Sequence, residues 1–306
     1  MTIPELTSQL LAGSRSALAR TLSRVENSSE SADEVLRSLG GKVGNAVRIG
    51  FTGPPGAGKS SLVTAYTKFL RKQGKQVAIL AVDPTSPFSG GALLGDRVRM
   101  NAIGLDEGVF VRSLATRGDL GGLSQAAGDM ADVLDAAGFD YVLFETVGVG
   151  QSEMEVVQYA DSVVVVLVPE SGDAIQGMKA GLMEAADVFC VNKADREGAD
   201  RFTGDLQGAM MLKHWDEWKP PVVNTVATRE QGVTELYEQI EAHLDHLRKT
   251  GEFESRRHAH ARRRIQRMLE KKLLAKFWTE EREGIMDAAL REGASPYVVL
   301  GRLMPA

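Results

Sequence analysis

One cysteine, Cys190, stands among 306 residues, and that scarcity excludes several architectures at once. A single thiol makes no intrachain disulfide and cannot build a zinc or iron–sulfur site alone. The chain therefore fits a reducing compartment, and a cytoplasmic location is expected. Histidine is also scarce: the five are His214, His243, His246, His258 and His260. No Cys-rich motif or His-rich tract accompanies them, so solvated helix positions explain His258 and His260 better than metal ligation does. Long hydrophobic runs are missing too. None approaches the roughly 20 apolar residues of a membrane span. The opening MTIPELTSQLLAGSRSALARTL lacks a basic stretch followed by an apolar one, which argues against a secretory signal. Charge is not one-sided either: 36 Lys and Arg against 41 Asp and Glu leave a formal −5. Nothing global suggests a nucleic-acid binder. The basic run Arg256–Lys276 alternates with apolar Ile265, Met268, Leu269 and Leu273, a pattern that more often marks a dimer or partner helix.

What is present is a core. Hydrophobic residues make up 43% of the chain and charged ones 25%, enough for one dominant domain with appendages. Apolar positions at helical spacing over residues 4–39 predict two helices, split near Asn27–Ser31. From Ala46 onward, short apolar runs alternate with helical stretches, as in βα units. The runs are Val47–Thr52, Val77–Val82, Val109–Arg112, Tyr141–Phe144, Val163–Val168, Val188–Val191 and Val222–Thr225. Most are too uniformly apolar for a half-exposed sheet and suit strands covered on both faces. The expected fold is α/β: a doubly wound, mostly parallel P-loop NTPase sheet over residues 45–250. A helical N-terminal extension precedes it (1–44) and a C-terminal helical arm follows (251–306), with helices over 254–279 and 280–303. Ligands of such sheets sit at the carboxyl ends of the strands.

The run Val47–Thr52 leads into Gly53-Pro54-Pro55-Gly56-Ala57-Gly58-Lys59-Ser60, with Ser61 next in line. This is a complete G-x-x-x-x-G-K-[ST] loop. Its glycines let successive N–H groups point inward around phosphate oxygens, and the following helix adds its dipole. Lys59 would supply a point charge to the β- and γ-phosphates, and the Ser60 hydroxyl would ligate Mg2+. Glu145 and Asp83, each at the end of a strand, are the candidate carboxylates for the metal, with Asp96 a weaker third. Gly148 is placed to offer its N–H to a γ-phosphate. A second motif, Asn192-Lys193-Ala194-Asp195, follows another strand. A carboxylate such as Asp195 can accept from both N1–H and the 2-amino group of guanine, donors that adenine lacks. Lys193 would lie along the base, and Asn192 would tie its loop to the phosphate loop.

The segments GPPGAGKS, VDPTSPFSGGALLGDRVRM, FETVGVGQSE and VNKAD resemble the metallochaperone-like P-loop GTPases. The specific group is that associated with methylmalonyl-CoA mutase, which includes bacterial MeaB and the human methylmalonic aciduria type A protein; some members carried the older label of arginine/ornithine transport kinase. The resemblance covers nearly the whole chain. It implies a G-protein chaperone for an adenosylcobalamin-dependent acyl-CoA mutase, gating cofactor loading and protecting or reactivating the mutase, with GTP and GDP as nucleotides. By similarity, Asp83, Asp96 and Glu145 join Ser60 around Mg2+. Switch-like stretches follow Asp83, Glu145 and Glu170, and the C-terminal helices make a homodimer. One departure stands out: the base-contacting loop, often Ser-Ala in GTPases, reads Val226-Ala227 here, leaving a backbone N–H of that loop to reach guanine O6.

Ras-like enzymes place a water-orienting Gln directly after the switch II glycine, where this chain has Val149. Slow intrinsic hydrolysis, completed by a partner, is therefore expected. Gln151 is the substitute and joins Lys59 and Glu145 in the catalytic set; Arg97, Arg99 or Lys179 would supply a stabilising cation. The alternative is a kinase or transport-energising nucleotidase, but no separate acceptor pocket is visible for it.

Overall fold

The computed structural model describes residues 2–27, 30–83, 103–115, 122–146, 156–171, 181–215 and 217–304. Asp96, Arg97, Arg99, Gly148, Val149, Gln151 and Lys179 lie outside the described residues. The chain divides into two compact units, residues 1–257 and 258–306.

The first unit opens with three helices rather than the two expected: α1 (Ile3–Leu11), α2 (Arg15–Glu26) and α3 (Glu30–Ser38). The extra break falls at Gly13, whose φ of +84° ends α1; Ser14 then caps α2, its hydroxyl accepting from the Ala17 N–H at 3.3 Å. Helical periodicity hides this break because α1 and α2 bury their apolar residues (Leu6, Leu10; Leu18, Leu22) in the same cluster. At the end of the linker that follows, the Asp135 carboxylate accepts the N–H groups of Gly44, Asn45 and Ala46 at 2.7, 3.1 and 3.0 Å, fixing where the first strand starts.

The core alternates strands and helices: β1 (Val47–Thr52), α4 (Lys59–Lys72), β2 (Val77–Asp83), β3 (Val109–Ala115), α5 (Gly122–Ala136), β4 (Tyr141–Thr146), β5 (Ser162–Leu167), α6 (Leu182–Ala185), β6 (Val188–Asn192), α7 (Ala199–Met211), β7 (Val222–Thr225) and α8 (Val233–Thr250). The seven strands make one sheet in the order β3-β2-β4-β1-β5-β6-β7, and every neighbouring pair is parallel. Strand β5 shows why its run is apolar throughout. Val163, Val165 and Leu167 belong to the cluster that also holds residues of α1, α2, α3, α5 and α7, whereas Val164 and Val166 belong to the cluster on the other face, with residues of α4 and α8. Both faces are covered, so the usual alternation of a half-exposed strand disappears. Cys190 in β6 is fully buried and bonded to the Thr225 hydroxyl at 3.2 Å; burial pushes its thiol up to about 12.

Among the described residues no helix is long and apolar enough to cross a membrane. Beyond α8 run α9 (Glu252–Phe277), α10 (Glu280–Arg291) and α11 (Pro296–Leu303). The single helix expected over 280–303 is thus two, divided where Gly293 adopts φ +76° and Pro296 opens the next helix. The second unit has its own small core: Ala289, Val299 and Leu303 packed with Phe277, Ile285 and Met286. In α9, Ile265, Leu269 and Leu273 remain exposed.

Candidate functional site

Strand β1 lies between β4 and β5, near the middle of the sheet, where chain connections leave in both directions. Such a switch point opens a crevice at the carboxyl ends of the strands. The loop Gly53–Gly58 leaves β1 there and turns into α4. Three of its glycines take φ values closed to most side chains: Gly53 +136°, Gly56 +76° and Gly58 +84°. Two are also sterically compelled. A Cβ on Gly53 would lie 2.1 Å from the Val166 carbonyl oxygen, and one on Gly58 would lie 2.5 Å from Asn192 Nδ2. Pro55 and Gly56 form the exposed crest, Ala57 is buried, and Pro54 is intermediate.

Lys59 opens α4 and is almost wholly buried. Its ammonium donates to the carbonyls of Gly53 at 2.6 Å and Pro54 at 2.9 Å, which places the charge at the loop. A phosphate oxygen is a stronger acceptor than a peptide carbonyl, so the same ammonium can turn to an anion with little movement. The Ser60 hydroxyl meets the buried Glu145 carboxylate, to which it donates at Oε1; Ser61, one residue on, faces outward. A hydroxyl and a carboxylate meeting at one point beside the loop are hard oxygen donors. Mg2+ takes such a sparse set, one or two protein ligands with water and phosphate oxygens completing the shell, so the residues fit that ion. Among the described residues no cluster of three or more His, Cys, Asp or Glu forms a protein-only cage. Asp83 is the last residue of β2, in register with Ala115 of β3.

The end of β6 supplies the second part of the site. Asn192 is 2% exposed. Its Nδ2 donates to the Ala57 carbonyl at 2.9 Å, while its Oδ1 accepts from the Ala227 N–H and the Thr225 hydroxyl, both at 3.2 Å. This one side chain joins the phosphate loop to both loops of the base site. Lys193 adopts φ +57°, and its ammonium donates to the Gly56 carbonyl at 2.8 Å, so its stem spans the gap between the loops. Asp195 lies on the rim with its carboxylate 3.4 Å from Arg229 Nη2. Val226 is buried. The Ala227 N–H donates to Asn192 Oδ1 at 3.2 Å, so reaching a base would require that one hydrogen to be shared between two acceptors. The ion pair between Glu170 and Arg196 sits beside this loop, and the guanidinium holds the Glu170 carboxyl below its ordinary value.

The structure thus brings together Gly53 through Ser60, Glu145, Asn192, Lys193, Asp195 and Ala227 along one edge of the sheet. Sequence reasoning missed Arg229 and the contacts of Lys68 and Lys72 with Glu230 (3.4 and 2.9 Å) that anchor the following loop to α4. No motif marks them, because each pair joins residues far apart in the chain.

A parallel sheet carrying a phosphate loop at its switch point and an Asn-Lys-x-Asp loop beside it defines a P-loop GTPase. The family model described as methylmalonyl-CoA mutase-associated GTPase MeaB matches residues 18–282, and the chain belongs to that family. A Pyrococcus abyssi protein with a GTPase designation is 51% identical over 259 residues, covering 83% of this chain and 80% of its own. The mouse methylmalonic aciduria type A homolog is 33% identical over 256 residues, 81% of this chain and 62% of its own. A crystal structure described as LAO/AO transport system kinase superimposes with a TM-score of 0.75 at 28% identity, covering 99% of this chain and 96% of the other. The protein is accordingly a GTP hydrolase.

Proposed function

We propose that this GTPase is Mg2+-dependent and acts as a G-protein chaperone for an adenosylcobalamin-dependent acyl-CoA mutase, gating cofactor loading and protecting or reactivating that enzyme. The observation that carries the reading is the family match over residues 18–282, whose description names methylmalonyl-CoA mutase. The name of the mouse relative supports the same assignment.

In this reading the loop amides of Gly53 through Ser60 hold the phosphates, and Lys59 neutralises their charge. Ser60 and Glu145, with Asp83 and Asp96, would hold the metal, and the Gly148 amide would serve the γ-phosphate. Mg2+ held there would supply neutralisation of the phosphate charge. Asp195 and Lys193 select guanine. Val149 cannot orient water, so hydrolysis is slow until a partner brings Gln151 or its own group into place. The exposed row Ile265, Leu269 and Leu273 on α9 supports a homodimer, which light scattering checks by mass.

The test is GTP turnover by the full chain, alone and with purified methylmalonyl-, isobutyryl-, ethylmalonyl- or 2-hydroxyisobutyryl-CoA mutase, with and without EDTA. Slow turnover, accelerated by one mutase and abolished by EDTA, is expected. No acceleration by any of them, or a phosphorylated small acceptor in place of free phosphate, would overturn the proposal.

A further inference from the structure

We infer that Arg229 is a positioning residue for base selection, orienting the Asp195 carboxylate that reads guanine. The inference rests on the assignment of Asp195 to the base and goes beyond it. The loop after β7 has lost one polar group to Val226, whose buried side chain neither donates nor accepts. Among the described residues, the cation paired with Asp195 is Arg229, three positions further on, with Nη2 at 3.4 Å from Oδ2. That pairing is held by a loop that has little freedom. The Val226 N–H donates to Gln231 O at 3.1 Å and the Gln231 N–H returns to Val226 O at 3.3 Å; the Arg229 N–H donates to Val226 O at 2.9 Å. Glu230 is in the left-handed region at φ +55° and is gripped by Lys72 and Lys68 of α4, which hold its carboxyl below the ordinary value. At Gly232 a Cβ would come within 2.1 Å of the Asn224 carbonyl. The loop is therefore fastened to α4 on one side and to Asn192 through the Ala227 N–H on the other.

The chemistry follows from counting acceptors. A carboxylate has about four lone-pair sites, and guanine occupies one on each oxygen, through N1–H and the 2-amino group. Asp195 is on the rim, where an unassisted carboxylate rotates freely and is hydrated. A guanidinium close to Oδ2 restricts that rotation, and a carboxylate engaged at one site still has lone pairs for the base. The bond that depends most on the rotation is the second one, to the 2-amino group. Arg229 should therefore affect discrimination between guanine and hypoxanthine, which keeps N1–H but lacks the amino group.

The experiment is calorimetric titration of the full chain with GDP, IDP and ADP in magnesium buffer, for wild type, Arg229→Ala, Arg229→Lys and Asp195→Asn, with thermal melts alongside. For Arg229→Ala the GDP-to-IDP affinity ratio should fall about three- to fivefold, the scale of a half-exposed ion pair. Arg229→Lys should recover part of it, and the melting temperature should stay put. If the ratio is unchanged in Arg229→Ala while Asp195→Asn loses guanine preference, the positioning role is wrong and the base assignment stands. If wild type itself does not prefer GDP over ADP, the base assignment fails. A ratio that falls only together with the melting temperature in both Arg229 variants would mark a structural role and overturn the inference.

Discussion

Replacing Asn192 by alanine tests whether the phosphate loop and the base loops are held as one unit. The side chain is 2% exposed and makes four hydrogen bonds: to Ala57 O at 2.9 Å and, at the long limit, Gly58 O at 3.5 Å, and from the Ala227 N–H and Thr225 Oγ1 at 3.2 Å. Their losses are not equal. The Thr225 hydroxyl already lies 3.2 Å from Cys190 Sγ and can turn to it. The Ala57 carbonyl and the Ala227 N–H lose this partner outright, and each buried group so stranded costs about 1–3 kcal/mol. Some of that is recovered as water enters the space left by the amide, so a net effect of about 2–3 kcal/mol is expected. Because the two loops are positioned for nucleotide by this contact, most of it should appear in binding, as a rise of about 30- to 150-fold in Kd. Asn192 touches loop backbone, not the γ-phosphate region, so GDP and GTP should weaken equally. Titration calorimetry with both nucleotides measures this, and melts with and without saturating GDP check it, since the ligand-induced rise in Tm shrinks with affinity. An unchanged Kd, or a loss confined to GTP, would refute the reasoning.

The two loop glycines should differ sharply. Gly53→Ala forces a Cβ to 2.1 Å from a backbone oxygen, whereas Gly56→Ala meets open space at φ +76°. Thermal melts should show only about 1 kcal/mol lost for Gly56→Ala and several times that for Gly53→Ala; equal losses would sink the steric account. A third test concerns acid stability. Asp187 accepts from Arg256 and from the Val163 N–H, each at 2.8 Å, and its Oδ1 lies 3.2 Å from His243 Nε2. Burial pushes its carboxyl up, but the adjacent His243 ring and Arg256 guanidinium outweigh this and hold it below the ordinary value. A lowered folded-state pKa contributes stability that is present above the ordinary carboxyl range, near 3.9, and is lost as pH falls through the folded value. Arg256→Gln should cost toward the low end of roughly 3–5 kcal/mol, since the Arg256 side chain is 30% exposed. Urea melts across pH 3 to 7 should then show a shallower acid decline than wild type; an identical decline would contradict the assignment.

The parts of the molecule legible in the sequence are those where a short stretch of chain is sufficient. Gly53 through Ser60 builds its cradle from consecutive amides, and Asn192 through Asp195 follows directly from a strand. The strands themselves are visible because two covered faces leave nothing polar to interrupt a run such as Ser162–Leu167, buried throughout. Helix ends were harder. Periodicity carries straight across Gly13 and Gly293, because a turn that keeps the same face inward leaves the apolar spacing intact. Pairings across the chain left no local trace at all. Asp187 meets His243 and Arg256 from 56 and 69 residues away, and Glu230 meets Lys68 from 162. Nothing within a window around any of these residues distinguishes it from an ordinary surface charge.

The sealed position of Cys190 has a practical consequence. With its thiol pushed up to about 12 and its side chain enclosed in β6, the native sulfur is silent toward maleimides and disulfide reagents while the sheet is intact. A cysteine introduced at an open site such as Leu212, 91% exposed, would therefore take a fluorophore or spin label singly, in an otherwise unaltered background. The native thiol then becomes a clock, since it reacts only when β6 parts from its neighbours.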